Sequence, residues 1–188
     1  MIRKSLGLVL LLLAGPGLAE GVSYNFIELG YERVEFDDID LDGDGFGLGG
    51  SVELGEYVFL LVDYSQTSFD GGIDYDQLAV GAGYHVGMSE RTDLYVGLLY
   101  VAAEASVGAG SADENGLGAT MGIRGLITDK FELQGDVTYI DLGGGIDGTS
   151  VGVMGRYSFT PAFAGTLNLG FDEDATNYGV GVRFYFGK

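Results

Sequence analysis

Apolar and polar residues alternate strictly along most of this chain, and the alternation restarts again and again. Near the C-terminus Tyr178, Val180, Val182, Phe184 and Phe186 share one face, opposed by Gly179, Gly181, Arg183 and Tyr185. Working backwards, the apolar faces are Phe163–Phe171, Val151–Phe159, Phe131–Tyr139, Leu117–Ile123, Leu94–Tyr100, Leu78–Tyr84, Val58–Tyr64 and Phe46–Val52. Side chains that repeat every second residue define half-buried strands. A further segment, Tyr24 to Phe36, is strand-like, but its phase slips near Arg33, where a bulge is expected. This predicts ten strands, with eight as the alternative.

The connections alternate in kind. Leu54-Gly55-Glu56, Val86 to Thr92, Thr128-Asp129-Lys130 and Thr160-Pro161-Ala162 are mostly tight. Asp37 to Gly43, Phe69 to Gly72, Ala105 to Glu114, Leu142 to Asp147 and Asp172 to Ala175 are rich in Asp, Glu and Gly. Short turns on one side and longer loops on the other are the asymmetry of a barrel that spans an outer membrane, with the short turns in the periplasm.

A soluble barrel alternates as well, so the choice rests on two other features. Phe131 and Tyr139, Phe163 and Phe171, and Tyr178 and Phe186 pair on the apolar face eight residues apart. At about 3.4 Å per residue and a tilt near 40°, that is roughly 21 Å along the axis, close to the ~25 Å apolar band between aromatic girdles. The opposite face is mostly Gly, Ser, Thr and Ala rather than the Lys and Glu of a solvated surface. The predicted fold is therefore all-β: a transmembrane antiparallel up-and-down barrel. Closure is required because open strand edges cannot be satisfied in lipid.

The N-terminus fits that destination. Arg3 and Lys4 precede an apolar core from Leu6 to Leu13, and Gly17-Leu18-Ala19 offers small residues for cleavage before Glu20. Residues 1–19 are expected to be a signal peptide and 20–188 the barrel. The apolar run is far short of the roughly 20 residues of a spanning helix. No Cys follows the cleavage site, which excludes a lipoprotein anchor and any disulfide. Without Arg3 and Lys4, seven basic residues face 28 acidic ones, a net charge of −21, and a nucleic-acid partner is excluded. Asn177-Tyr178-Gly179-Val180-Gly181-Val182-Arg183-Phe184 resembles the C-terminal signal read by the barrel assembly machinery, although Gly187-Lys188 follow the final aromatic residue.

Val22-Ser23-Tyr24-Asn25-Phe26-Ile27-Glu28-Leu29-Gly30-Tyr31, followed by Asp44-Gly45-Phe46-Gly47-Leu48-Gly49-Gly50-Ser51, resembles the opening of a family of small Gram-negative outer-membrane β-barrels. Their general character is that of OmpA and OmpX, and some members bear names of diffusible or immunity-triggering secreted factors. The resemblance implies an outer-membrane barrel with no catalytic residues, and the secreted-factor label is not carried over.

Candidate chemistry is sparse. Asp38-x-Asp40-x-Asp42-Gly43, with Asp44 beyond it, starts like a calcium loop, but Gly49 stands where a bidentate Glu is needed. Its expected role is a solvated acidic loop, with loose sharing of divalent cations with lipopolysaccharide phosphates as the alternative; no other cofactor is expected. Gly45-x-Gly47-x-x-Gly50 matches the dinucleotide fingerprint only as text, because it lies within a strand with no helix after it. His85, the only histidine, falls at the periplasmic end of its strand, and no Ser-His-acid set can be assembled around it. Arg124, Arg156 and Arg183 point inward near the periplasmic ends of descending strands, where Glu53, Asp63, Glu132 and Asp136 can face them. Buried charges must pair, so these residues are expected to form a luminal network. The expected function is non-enzymatic, in envelope structure or surface interaction through acidic loops, with outer-membrane lipid and lipopolysaccharide as partners. The alternative is a narrow channel for small or cationic solutes.

Overall fold

The computed structural model describes residues 21–36 and 41–187. All regular structure among them is strand: β1 (Phe26–Phe36), β2 (Asp42–Leu54), β3 (Val58–Phe69), β4 (Ile73–Ser89), β5 (Thr92–Val107), β6 (Gly110–Leu126), β7 (Phe131–Asp141), β8 (Asp147–Thr160), β9 (Phe163–Phe171) and β10 (Ala175–Tyr185). Each pairs antiparallel with its sequence neighbours, and β1 pairs with β10 to close the barrel. Closure leaves no edge of unpaired amides, the condition lipid imposes on any sheet.

An even strand number brings the start of β1 and the end of β10 to one rim, with the tight turns. Tyr57, Arg91, Lys130 and Pro161 lie there, and we call it the periplasmic rim by the rule that short turns face the periplasm. The other rim carries the acidic connections.

Parity sorts the side chains. Leu60, Val62, Leu98, Leu117, Leu167 and Val180 face outward and are 42–72 % exposed. Two aromatic rows bound this apolar belt. Tyr57, Tyr84, Phe159 and Phe163 lie toward the periplasmic rim, with Tyr57 and Tyr84 stacked at 5.8 Å. Tyr64, Tyr100, Tyr139, Phe171 and Tyr178 lie toward the outer rim. The upper tyrosines donate to acids above them: Tyr64 Oη to Asp76 at 2.5 Å, Tyr139 Oη to Asp147 at 3.3 Å, and Tyr178 Oη to Glu35. An apolar ring with a polar tip suits a membrane boundary. Phe186 of the third expected aromatic pair lies beyond β10, its N–H bonded to the Asn25 carbonyl.

Two expectations are corrected. β1 holds an unbroken register with both β10 and β2, so no bulge exists at Arg33. The phase slips there because Arg33 and Glu35 occupy outward positions above the apolar belt, where they ion-pair at 3.0 Å. The irregularities fall instead at Gly87/Ser89 and Ser158/Thr160. The expected loop from Ala105 to Glu114 is mostly hairpin, since β5 and β6 stay paired up to Val107↔Gly110.

Burial is concentrated inside the barrel. One luminal wall is apolar: Ala79, Leu99 and Val101 are buried, with Leu61, Ile140 and Leu142 packed on them. The lumen is therefore less uniformly small and polar than the sequence pattern suggests.

Candidate functional site

The residues before β1 build a floor across the periplasmic end of the lumen. Tyr24 is 2 % exposed, its ring stacked on Phe59 at 4.6 Å and on His85 at 4.2 Å, with Tyr95 edge-on at 6.5 Å. The Phe59 and Tyr95 spacings fall within the range favoured for aromatic pairs. Hydrogen bonds hold the strap in place. Asn25 Nδ2 donates to Glu53 Oε2 at 2.6 Å, and Glu53 N–H donates back to Asn25 Oδ1 at 2.9 Å. Arg124 Nη2 donates to the Ser23 carbonyl at 3.1 Å. Gly83 makes room for the Phe59 ring, since a Cβ at that position would collide with it.

A charged layer lies against the aromatic one. Arg124 Nε and Arg156 Nη1 both donate to Glu132 Oε1, at 2.9 and 2.5 Å. Arg156 Nη2 continues to Gln134 Oε1 at 2.5 Å. Gln134 Nε2 then donates to Tyr95 Oη at 2.8 Å and to Asp136 Oδ2 at 3.0 Å. Arg124 also sits 4.5 Å above the Tyr24 ring, a cation–π contact that joins the two layers. Pairing explains why these charges tolerate the interior: Arg124 and Arg156 are each 2 % exposed and Glu132 is 5 %. Arg183 forms a separate pair, Nε to Glu28 Oε2 at 2.6 Å, with its guanidinium 3.5 Å above the Phe26 ring. Below the floor is a cavity of about 330 Å³ bordered by Ser23, Lys130 and Pro161; above it is one of about 450 Å³.

The sequence-selected charges meet different fates. Arg124, Arg156 and Glu132 form one cluster. Glu53 fastens the strap rather than an arginine. Asp136 accepts from Gln134, and Asp63 faces the upper cavity with no hydrogen bond or ion pair among the described residues. Sequence reasoning missed Glu28, Gln134, Tyr24 and Tyr95, and also Asp93, whose Oδ2 is 3.1 Å from His85 Nδ1. Parity signalled most of these as inward, but partner identity depends on register, which the pattern alone does not supply.

Of the acidic group at the β1–β2 connection, Asp38 and Asp40 lie outside the described residues. Asp42 and Asp44 sit on β2 rather than in a loop, and Asp42 Oδ2 accepts from Arg33 Nη2 at 2.6 Å. Among the described residues no group of three or more His, Cys, Asp or Glu is placed to hold a metal ion. In the periplasmic turn, the Glu56 carboxylate that accepts the Tyr57 hydrogen bond raises that phenol's pKa above its usual value.

The model of the outer membrane protein β-barrel domain family matches residues 6–159. The chain belongs to that family. It is an outer-membrane barrel, and its two aromatic rows mark the membrane boundaries. Among solved structures it is similar to the KdgM porin (14 % identity, 85 % of this chain and 99 % of that one, TM-score 0.49). It is also similar to Neisserial surface protein A (13 %, 86 % and 95 %, 0.47). A third such structure is Ail, the attachment invasion locus protein of Yersinia pestis (19 %, 86 % and 97 %, 0.44). No curated protein matches the chain.

Proposed function

We propose that this outer-membrane barrel is a closed, non-enzymatic wall component that meets its surroundings through its acidic outer rim and passes no solute. The observation that carries this reading is the floor: Tyr24, Phe59, His85 and Tyr95 close-packed over the Arg124–Glu132–Arg156 cluster. Side chains can fill a barrel of about this size. The same packing supports the absence of catalysis. His85 is 8 % exposed, clamped between Asp93 and the Tyr24 ring within the floor.

The rim supplies the contact surface. Asp76, Glu104 and Asp113 stand directly opposite one another across β4, β5 and β6. Like charges in that register repel, so the row is read as facing divalent cations shared with lipopolysaccharide phosphates. Planar-bilayer recording tests the proposal. The purified barrel should give no unit conductance, and a discrete, ion-selective step would overturn it in favour of a narrow channel.

A further inference from the structure

The cavity of about 450 Å³ above the floor has a chemistry that the closed-barrel reading leaves unused. Five buried side-chain polar atoms among the described residues lack a hydrogen-bond partner: Tyr24 Oη, Ser51 Oγ, His85 Nε2, Arg156 Nε and Arg183 Nη1. Apart from the histidine, every one belongs to a side chain that lines this cavity, and every one can donate. Tyr24, Ser51, Arg156 and Arg183 are all more than nine-tenths buried. Buried donors are normally satisfied, so several orphans around one cavity call for an acceptor.

Asp63 supplies the complement. It is exposed to the cavity and unpaired, while the acid nearest it in register, Glu28, is already taken by Arg183. The row runs Arg183, Glu28, Gly49, Asp63 across β10, β1, β2 and β3. Gly49 leaves the space: a Cβ there would stand 2.8 Å from Asp63 Oδ2. Ser51 is the diagonal neighbour of Asp63 on the same inward face. Diagonal neighbours lie about 7–8 Å apart, a gap that a compact molecule carrying both charges can bridge. Leu61, Leu99 and Ile140 form an apolar wall on the same cavity. A few placed polar groups beside an apolar wall, in a volume of this order, are the anatomy of a small-molecule site.

We infer that this cavity binds a small zwitterion with an apolar body, of the class of a free α-amino acid. Its ammonium pairs with Asp63, its carboxylate takes hydrogen bonds from Ser51 and Arg183, and its side chain lies on Leu61 and Leu99. The site does not depend on whether the barrel conducts, so conductance and binding can fail separately.

Equilibrium dialysis of the detergent-refolded barrel against labelled L-leucine tests it. The expected result is saturable binding of one leucine per chain, weakened at least tenfold in D63N and in S51A. Leucinamide, which lacks the carboxylate, and N-acetyl-leucine, which lacks the ammonium, should each compete at least tenfold less well. Unheated electrophoretic mobility of the variants shows that they still fold. Three results would each overturn the inference: no saturable uptake, which leaves water as the only occupant; equal uptake by D63N; or equal competition by the two analogues.

Discussion

At the scale of the residue, two side chains dominate the floor in different ways. Glu132 holds two buried arginines with one oxygen. Removing one partner of a buried pair costs about 3–5 kcal/mol, because the charge left behind stays desolvated. Glu132→Ala should therefore lower the unfolding free energy by about that much in urea titrations of the lipid-embedded barrel, and a loss under 1 kcal/mol would mean that water already reaches the cluster. Tyr24 contributes packing instead. Tyr24→Ala removes the central ring of the stack, and small ion currents should appear in bilayers where the unsubstituted protein gives none. Inward parity made Arg124, Arg156 and Arg183 legible in the sequence. Glu132, the partner of Arg124 and Arg156, was among the acids the same parity selected, whereas Glu28 and Tyr24 were not, because Glu28 sits on the strand whose phase breaks at Arg33, and Tyr24 precedes the strand altogether. A residue that plugs a barrel from outside the ladder leaves no periodic trace.

At the scale of the element, strand number and order were legible because each lipid-facing run carries its own alternation. Strand length was not. β4 and β6 each span 17 residues, well past the apolar belt, and above it the outward positions hold Asp76, Glu104 and Asp113, where backbone pairing continues without the hydrophobic signal. These hairpin tops are where the acids act together. D76N, E104Q and D113N combined should weaken magnesium-dependent association with lipopolysaccharide-containing vesicles and leave the magnesium-free level unchanged. An unaltered magnesium response would remove the acid row from the surface reading. Barrel formation should be indifferent to the triple change, since none of these side chains enters the lumen.

At the scale of the whole molecule, closure through β1 and β10 makes the fold a single cooperative ring. The purified protein should resist unheated dodecyl sulfate and run as a compact band that shifts on boiling. A mobility identical before and after heating would contradict a closed barrel. Aromatic spacing, loop asymmetry and the small luminal residues together pointed to this architecture before any coordinate. The apolar luminal wall did not announce itself, because Leu61, Leu99 and Ile140 occupy polar-phase positions in strands with apolar residues on both faces.

The strap ties the two ends of the chain to the same place. Asn25 is held by Glu53 on β2 and by the Phe186 amide just past β10, while Ser23 is held by Arg124 on β6. Its anchors thus come from β2, from β6 and from the residue just past β10. The seal therefore reports on the ring itself: a barrel without its last strand loses the clasp on Asn25, and the strap is fully held only where β10 has closed on β1.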